Sequence, residues 1–161
     1  MNEQVALLMF RLDQRRYALS LSSVERVVFI VEITPVPKAP PTILGVVNVG
    51  GTIVPVYDLR SRFRLPRREI SLTDNLIIIQ TNRQKAALLA DEVNGVLEVS
   101  TSKIVTPENV FPELGHVKGI VKLQDGLVII QDLDKFLTLE EEKFLHEALM
   151  EFKPFNDERN F

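Results

Sequence analysis

Gly45-Val46-Val47-Asn48-Val49-Gly50-Gly51-Thr52-Ile53-Val54-Pro55-Val56-Tyr57-Asp58-Leu59 is the stretch on which the reading of this chain turns. Two runs rich in β-branched residues, Leu44–Val49 and Thr52–Val56, flank a Gly-Gly pair. Glycine tolerates positive φ at both central positions of a tight turn, so the stretch predicts a β-hairpin. Asp58, placed just after the second strand, has the chemistry of an N-cap whose carboxylate accepts from the free N–H groups of a short helical element.

The same pattern returns further along. Gly119-Ile120-Val121-Lys122-Leu123 through Leu127-Val128-Ile129-Ile130-Gln131-Asp132-Leu133 repeats it at an offset of 119 − 45 = 74 residues. Gly45, Val47, Val54, Asp58 and Leu59 recur as Gly119, Val121, Val128, Asp132 and Leu133. A period this long exceeds that of solenoid repeats and points to two similar small barrels. A carboxylate duplicated at equivalent junctions is explained by duplicated capping better than by paired acid–base catalysis.

Outward from the hairpin, short apolar runs recur between turn residues. Val5–Leu12 and Tyr17–Leu21 flank a polar loop at 13–16, Ser22-Ser23-Val24-Glu25 reads as one helical turn, and Arg26–Ile33 as a strand. Thr34-Pro35-Val36-Pro37-Lys38-Ala39-Pro40-Pro41 holds four prolines in eight residues and reads as an irregular connection. Further strands are predicted at Leu76–Thr81, Ala86–Asp91, Val96–Val99, Val117–Leu123 and Leu127–Gln131, about ten in all. A capping box at Thr138 and Glu141, followed by an apolar stripe from Phe144 to Phe152, predicts a C-terminal helix.

Composition narrows the function. With 45% apolar and 25% charged residues among 161, the chain can bury a sizeable core, as one domain or two small tightly joined ones. A net charge of −3 argues against nucleic-acid binding, and no apolar run approaches the roughly 20 residues of a membrane span. The chain has no Cys and only His116 and His146, so thiolate metal sites and Cys–His pairs are excluded. Neither a phosphate loop nor a nucleophile elbow occurs, and no cofactor, metal site or enzymatic activity is expected. Arg60, Arg62, Arg64, Arg67 and Arg68 form the densest charge cluster, read as a solvated loop or as a contact for an acidic partner.

Several of these motifs together resemble the CheW-type coupling-protein family. Tyr17-Ala18-Leu19, the proline-rich linker, Ile43-Leu44-Gly45-Val46-Val47-Asn48 and Ile53-Val54-Pro55-Val56-Tyr57-Asp58-Leu59-Arg60-Ser61-Arg62-Phe63 carry the resemblance, and Ala90-Asp91-Glu92-Val93 through Val99 extends it. It implies an all-β fold of two five-stranded SH3-like barrels packed together, plus the C-terminal helix. The expected organisation is a single domain over 1–152 made of two intertwined barrels, with a boundary near 66–75 and the N-terminal strand open to sharing with the second barrel. Residues 153–161 are expected to be a flexible tail.

The resemblance also implies a cytoplasmic, non-catalytic adaptor whose partners are a CheA-type histidine kinase and the cytoplasmic tip of methyl-accepting chemoreceptors. The partner-binding residues it implies are Val24, Arg26, Val27, Asn48, Val49, Gly50, Gly51, Val56, Asp58, Arg60 and Arg62. Two positions depart from the family pattern: Gly50 stands where an arginine is usual, and Arg26 where a glutamate is favoured. On this reading Gly50→Arg should strengthen partner binding by roughly 1–3 kcal/mol. The alternative reading is a β-barrel that senses a small molecule in an internal cavity.

Overall fold

Runs of Val, Ile and Leu without polar alternation need apolar cover on both faces of a strand. The computed structural model, which describes residues 3–81, 84–106 and 117–133, shows how that cover arises. In chain order the elements are β1 (Gln4–Leu12), β2 (Arg15–Ser20), β3 (Val24–Phe29), β4 (Ile43–Val49), β5 (Thr52–Tyr57), α1 (Leu59–Arg62), β6 (Asn75–Gln80), β7 (Lys85–Ala90), β8 (Glu92–Ser100), β9 (Ile104–Val105), β10 (Val117–Leu123) and β11 (Gly126–Gln131). They form two sheets, ordered β3-β6-β7-β5-β4 and β8-β1-β2-β11-β10-β9.

The chain crosses between the sheets at two points. The β1–β2 hairpin pairs with β8 and β11, while β3, next in sequence, pairs with β6. The expected boundary near 66–75 therefore does not separate the barrels: β6 and β7, beyond it, complete the first sheet, and the whole N-terminal hairpin belongs to the second. Similarity between halves reveals a duplication but not an exchange of strands. The second sheet has six strands where five were expected, because the two-residue β9 adds to β10. The single helical turn falls at Leu21–Ser23, earlier than expected, and β3 starts at Val24 and stops at Phe29.

The repeat is exact at the level of pairing. β4–β5 and β10–β11 share the 74-residue offset, and each carries its register shift at the same place, between Ile43 and Gly45 and between Val117 and Gly119. β5 runs parallel to β7 through Val56↔Ala87, and β11 runs parallel to β2 through Ile130↔Ala18. Gly45 and Gly119 share a cause as well. A Cβ at Gly45 would collide with the Thr34 carbonyl, and one at Gly119 with Ile104 Cγ2. Each glycine thus admits the segment beside its barrel, which pairs through Thr34↔Val46 in the first and Val105↔Ile120 in the second.

Three cores result. Val47, Val54, Val56, Leu76, Ile78 and Ala87 fill the first barrel, and Leu7, Ala18, Val99, Val121, Val128 and Ile130 fill the second. The third lies between them and includes Leu8, Phe10, Leu12, Leu19, Tyr57, Leu59, Ile77, Ile79 and Leu88. Successive residues of β6 serve alternate cores: Leu76 and Ile78 face their own barrel, Ile77 and Ile79 the shared layer. β1 divides likewise, with Leu7 inward and Leu8 and Phe10 shared. A fully buried Leu, Ile or Phe contributes about 1.5–3 kcal/mol over exposure, so the shared layer is a main reason the two barrels stay together. The expected C-terminal helix and the tail at 153–161 lie outside the described residues, as do His116 and His146.

Candidate partner-docking site

β3 is an edge strand, and its side chains alternate between the first barrel and the layer beyond it. Val27 pairs with Ile77 of the shared core and Phe29 with Asn75, so both stand on the sheet face that bounds the shared layer. They are not covered: Val27 is 36% and Phe29 75% exposed, and Val31 beyond the strand end is also exposed. β8, an edge of the other sheet, has a counterpart. Val96 pairs with Leu8 of the shared core and is 55% exposed. Each barrel therefore ends in an edge strand that carries apolar side chains from the shared core out to solvent.

The first-barrel hairpin meets the same strand at its tip. Gly50 and Gly51 hold φ of 58° and 89°, as a glycine pair in a tight turn should, and the Gly51 N–H donates to Asn48 Oδ1 at 2.8 Å. Arg26 reaches across from β3 so that a Cβ at Gly50 would lie only 3.3 Å from its Nη2. The two departures from the family pattern are thus neighbours in space. The corner that lacks an arginine side chain at Gly50 already carries the guanidinium of Arg26.

The arginine cluster divides in two. Arg60 is buried, and its guanidinium donates to Asp13 Oδ1 at 2.7 Å and Oδ2 at 3.1 Å, to Asp91 Oδ2 at 2.6 Å and to the Pro66 carbonyl at 3.1 Å. Arg68 bridges Asp91 Oδ1 at 2.6 Å and Asp74 Oδ1 at 2.8 Å. Asp13 lies at the β1–β2 turn, Asp91 at the crossing from β7 to β8, and Arg60 on α1, so the network ties the two sheets together. The hydrogen bond from Arg60 holds the Asp13 carboxyl below its usual range. At Asp91, burial pushes upward, but hydrogen bonds from Arg68 and the Asp13 N–H, with the two guanidinium charges, outweigh it and the net shift is downward. Arg64 and Arg67 are exposed.

The expected partner-binding residues thus separate. Arg26, Asn48, Gly50 and Gly51 meet at the hairpin corner, with Val27 exposed beside Arg26 on β3. Val24 is half-buried against the shared core and Val49 half-buried against the first-barrel core. Val56 is fully buried inside the first barrel, because its position on β5 points into that core, and it offers no surface to a partner. Asp58 caps α1, its Oδ1 accepting the Arg60 N–H at 3.0 Å, and Asp132 follows β11 at the corresponding place. Arg60 is an internal tie, its charge already met by Asp13 and Asp91, and Arg62 sits half-buried at the end of α1. Phe29 and Val96 were not singled out in the sequence, since only the register shows that their strands border the shared layer.

The family model described as CheW-like domain matches residues 6–141, most of the chain. The chain belongs to the CheW-like family. The chemotaxis protein CheW of Bacillus subtilis is 33% identical over 136 residues, covering 83% of this chain and 87% of that protein. The CheW of Thermotoga maritima is 30% identical, covering 84% and 89%. A solved relative, the scaffolding protein TtCheW from Thermoanaerobacter tengcongensis, superposes with a TM-score of 0.78 at 32% identity, covering 86% of this chain and 96% of that one. The CheW-like fold accounts for the two barrels, and among the described residues no helix is long and apolar enough to cross a membrane.

Proposed function

We propose that this CheW-like chain is a non-catalytic adaptor that couples the cytoplasmic tips of chemoreceptors to a CheA-type histidine kinase in the cytoplasm. The observation that carries this reading is the pair of edge strands, β3 and β8, whose exposed Val27, Phe29 and Val96 extend the shared core to solvent. Such a face suits an amphipathic helix, which lays an apolar stripe into a groove, and a receptor tip supplies helices of that kind. The hairpin corner at Arg26 and Gly50, beside Val27 on the same strand, adds a charged contact to that face, while β8 lies at the edge of the other sheet and offers a second face for the other partner. Titration of the purified chain against receptor and kinase fragments from the same organism tests the proposal. Both should bind, and Phe29→Glu should abolish binding of one while leaving the other. Failure of the wild-type chain to bind either fragment would reject it.

A small-molecule sensor is the second reading, and one observation favours it. A cleft of 530 Å³ opens between the proline-rich linker and the loop after α1, with Val36, Pro40, Ile70 and Leu89 on its walls and Arg60 and Asp91 among its lining. It lies outside both barrels, whose interiors are filled by the side chains of their own cores. A small compound that raises the unfolding temperature of the isolated chain would support a sensor, whereas an adaptor gains stability from its protein partners.

A further inference from the structure

The arginine cluster after α1 runs into a serine. The loop reads Arg67-Arg68-Glu69-Ile70-Ser71-Leu72, and Ser71 is the only Ser or Thr of the chain with an arginine three positions before it. Leu72, which follows, is 90% exposed, the barest large apolar side chain among the described residues. Arg67, Glu69 and Ile70 are exposed as well, and the segment belongs to no strand or helix. The Ser71 hydroxyl meets only Thr73: its Oγ lies 2.9 Å from Thr73 Oγ1 and accepts the Thr73 N–H at 3.3 Å. Its backbone is anchored to an acid. The Ser71 N–H donates to Asp74 Oδ2 at 2.8 Å, and the other oxygen of that carboxylate, whose side chain is 2% exposed, holds Arg68.

We infer that Ser71 is a phosphorylation site for a serine/threonine protein kinase that reads arginine upstream of its target, and that the phosphate loosens the Arg68 bridge. This goes beyond the adaptor reading and does not depend on it. Kinases of that class select substrates by charge: an acidic groove takes the upstream arginine, and an apolar pocket takes the residue after the serine. The exposed loop offers both. The transfer moves the γ-phosphoryl group of ATP to Ser71 Oγ. An O–P bond forms, the bond from the γ-phosphorus to its bridging oxygen breaks, ADP leaves, and the hydroxyl proton passes to the catalytic base of the kinase. The phosphate adds a charge of about −1.5 to −2 beside Asp74. The Asp74 carboxylate is too deeply buried to turn to water, so the two repel. A phosphate also offers Arg68 an exposed anion in place of Asp91, which draws off the guanidinium that joins Asp74 to Asp91.

Incubation of the full chain with ATP and a purified arginine-directed serine/threonine kinase, with the phosphate located by tandem mass spectrometry, decides the site. Ser71 should carry the phosphate, and Ser71→Ala should take up none. Leu72→Asp, a change at a solvent-facing side chain, should slow incorporation several-fold. A native chain left unmodified at Ser71, or modified at Thr73 or another hydroxyl instead, overturns the assignment. The consequence for the bridge is read separately, by thermal unfolding. Ser71→Glu should unfold several degrees below its neutral counterpart Ser71→Gln. That gap should shrink when Asp74→Asn is added to both chains, because the buried carboxylate is what the new charge opposes. Equal midpoints for Ser71→Glu and Ser71→Gln, or a gap that Asp74→Asn leaves unchanged, would show that charge at Ser71 does not act on the bridge.

Discussion

Replacing Arg60 by alanine removes the cation that joins the N-terminal hairpin to the crossing between β7 and β8. Two carboxylates lose a partner, and they lose it unequally. Asp13 is 46% exposed on its side chain, so water replaces most of what it loses. Asp91 is only 10% exposed; it keeps Arg68 and the Asp13 N–H but is left with an oxygen that Arg60 held at 2.6 Å. Removing one partner of a buried pair costs about 3–5 kcal/mol, and the remaining contacts to Asp91 reduce that to roughly 2–3 kcal/mol. For a chain of this size, each kcal/mol lowers the unfolding temperature by about 2–4 °C, so the midpoint should fall by roughly 5–10 °C. Urea unfolding followed by circular dichroism gives the free energy, with Arg67→Ala as the exposed control, expected within about 0.5 kcal/mol of wild type. An Arg60→Ala chain no less stable than Arg67→Ala would refute the view that this arginine ties the sheets.

The same network sets a pH dependence. Asp13 and Asp91 titrate below the ordinary aspartate value of 3.8 in the folded chain, so their stabilisation is fully present above that value and is lost as pH falls through it toward the folded-state values. Unfolding free energy should therefore hold level near neutrality and drop at acid pH, and the acid drop should shrink in Asp91→Asn; an equal drop in both chains would contradict the assignment. Arg64 holds φ 59° after α1, where its N–H donates to the Ser61 carbonyl and the Leu65 N–H to the Arg60 carbonyl, a helix ending that favours glycine. Arg64→Gly should raise stability by about 0.5–1 kcal/mol in the same urea assay, as relief of left-handed strain at a compatible site does. Gly50→Arg, which the resemblance suggested would strengthen partner binding, should instead leave it unchanged or weaker in a titration, because the new side chain starts at φ 58° and 3.3 Å from the Arg26 guanidinium.

The hairpins were legible because their causes are local. Gly50-Gly51 needs positive φ, Asp58 caps the helix that follows it, and the recurrence of Gly45, Val47, Val54, Asp58 and Leu59 at one offset exposed the duplication. The exchange of strands was expected only through the resemblance, which implied intertwined barrels, since nothing in the sequence near Val27 or Val96 says that they pair with Ile77 and Leu8 from distant segments. Unbroken apolar runs in β1 and β6 told of burial on both faces without telling which core lay on which side. Arg60 read as one member of a loop cluster because its acids lie 47 and 31 residues away. Arg26 and Gly50 were each visible as departures from the family pattern, and only the close approach of β3 to the hairpin tip makes them one feature.

The central claim is that this chain joins two other proteins, and co-sedimentation tests it most directly. Receptor-bearing membranes are mixed with the CheA-type kinase, with and without the purified chain, and the kinase in the pellet is measured. The account predicts that the kinase sediments in proportion to added chain, and that Phe29→Glu, which puts a charge on the most exposed apolar residue of β3, prevents it. Kinase that pellets equally without the chain, or that never pellets although the chain itself binds the membranes, would contradict it.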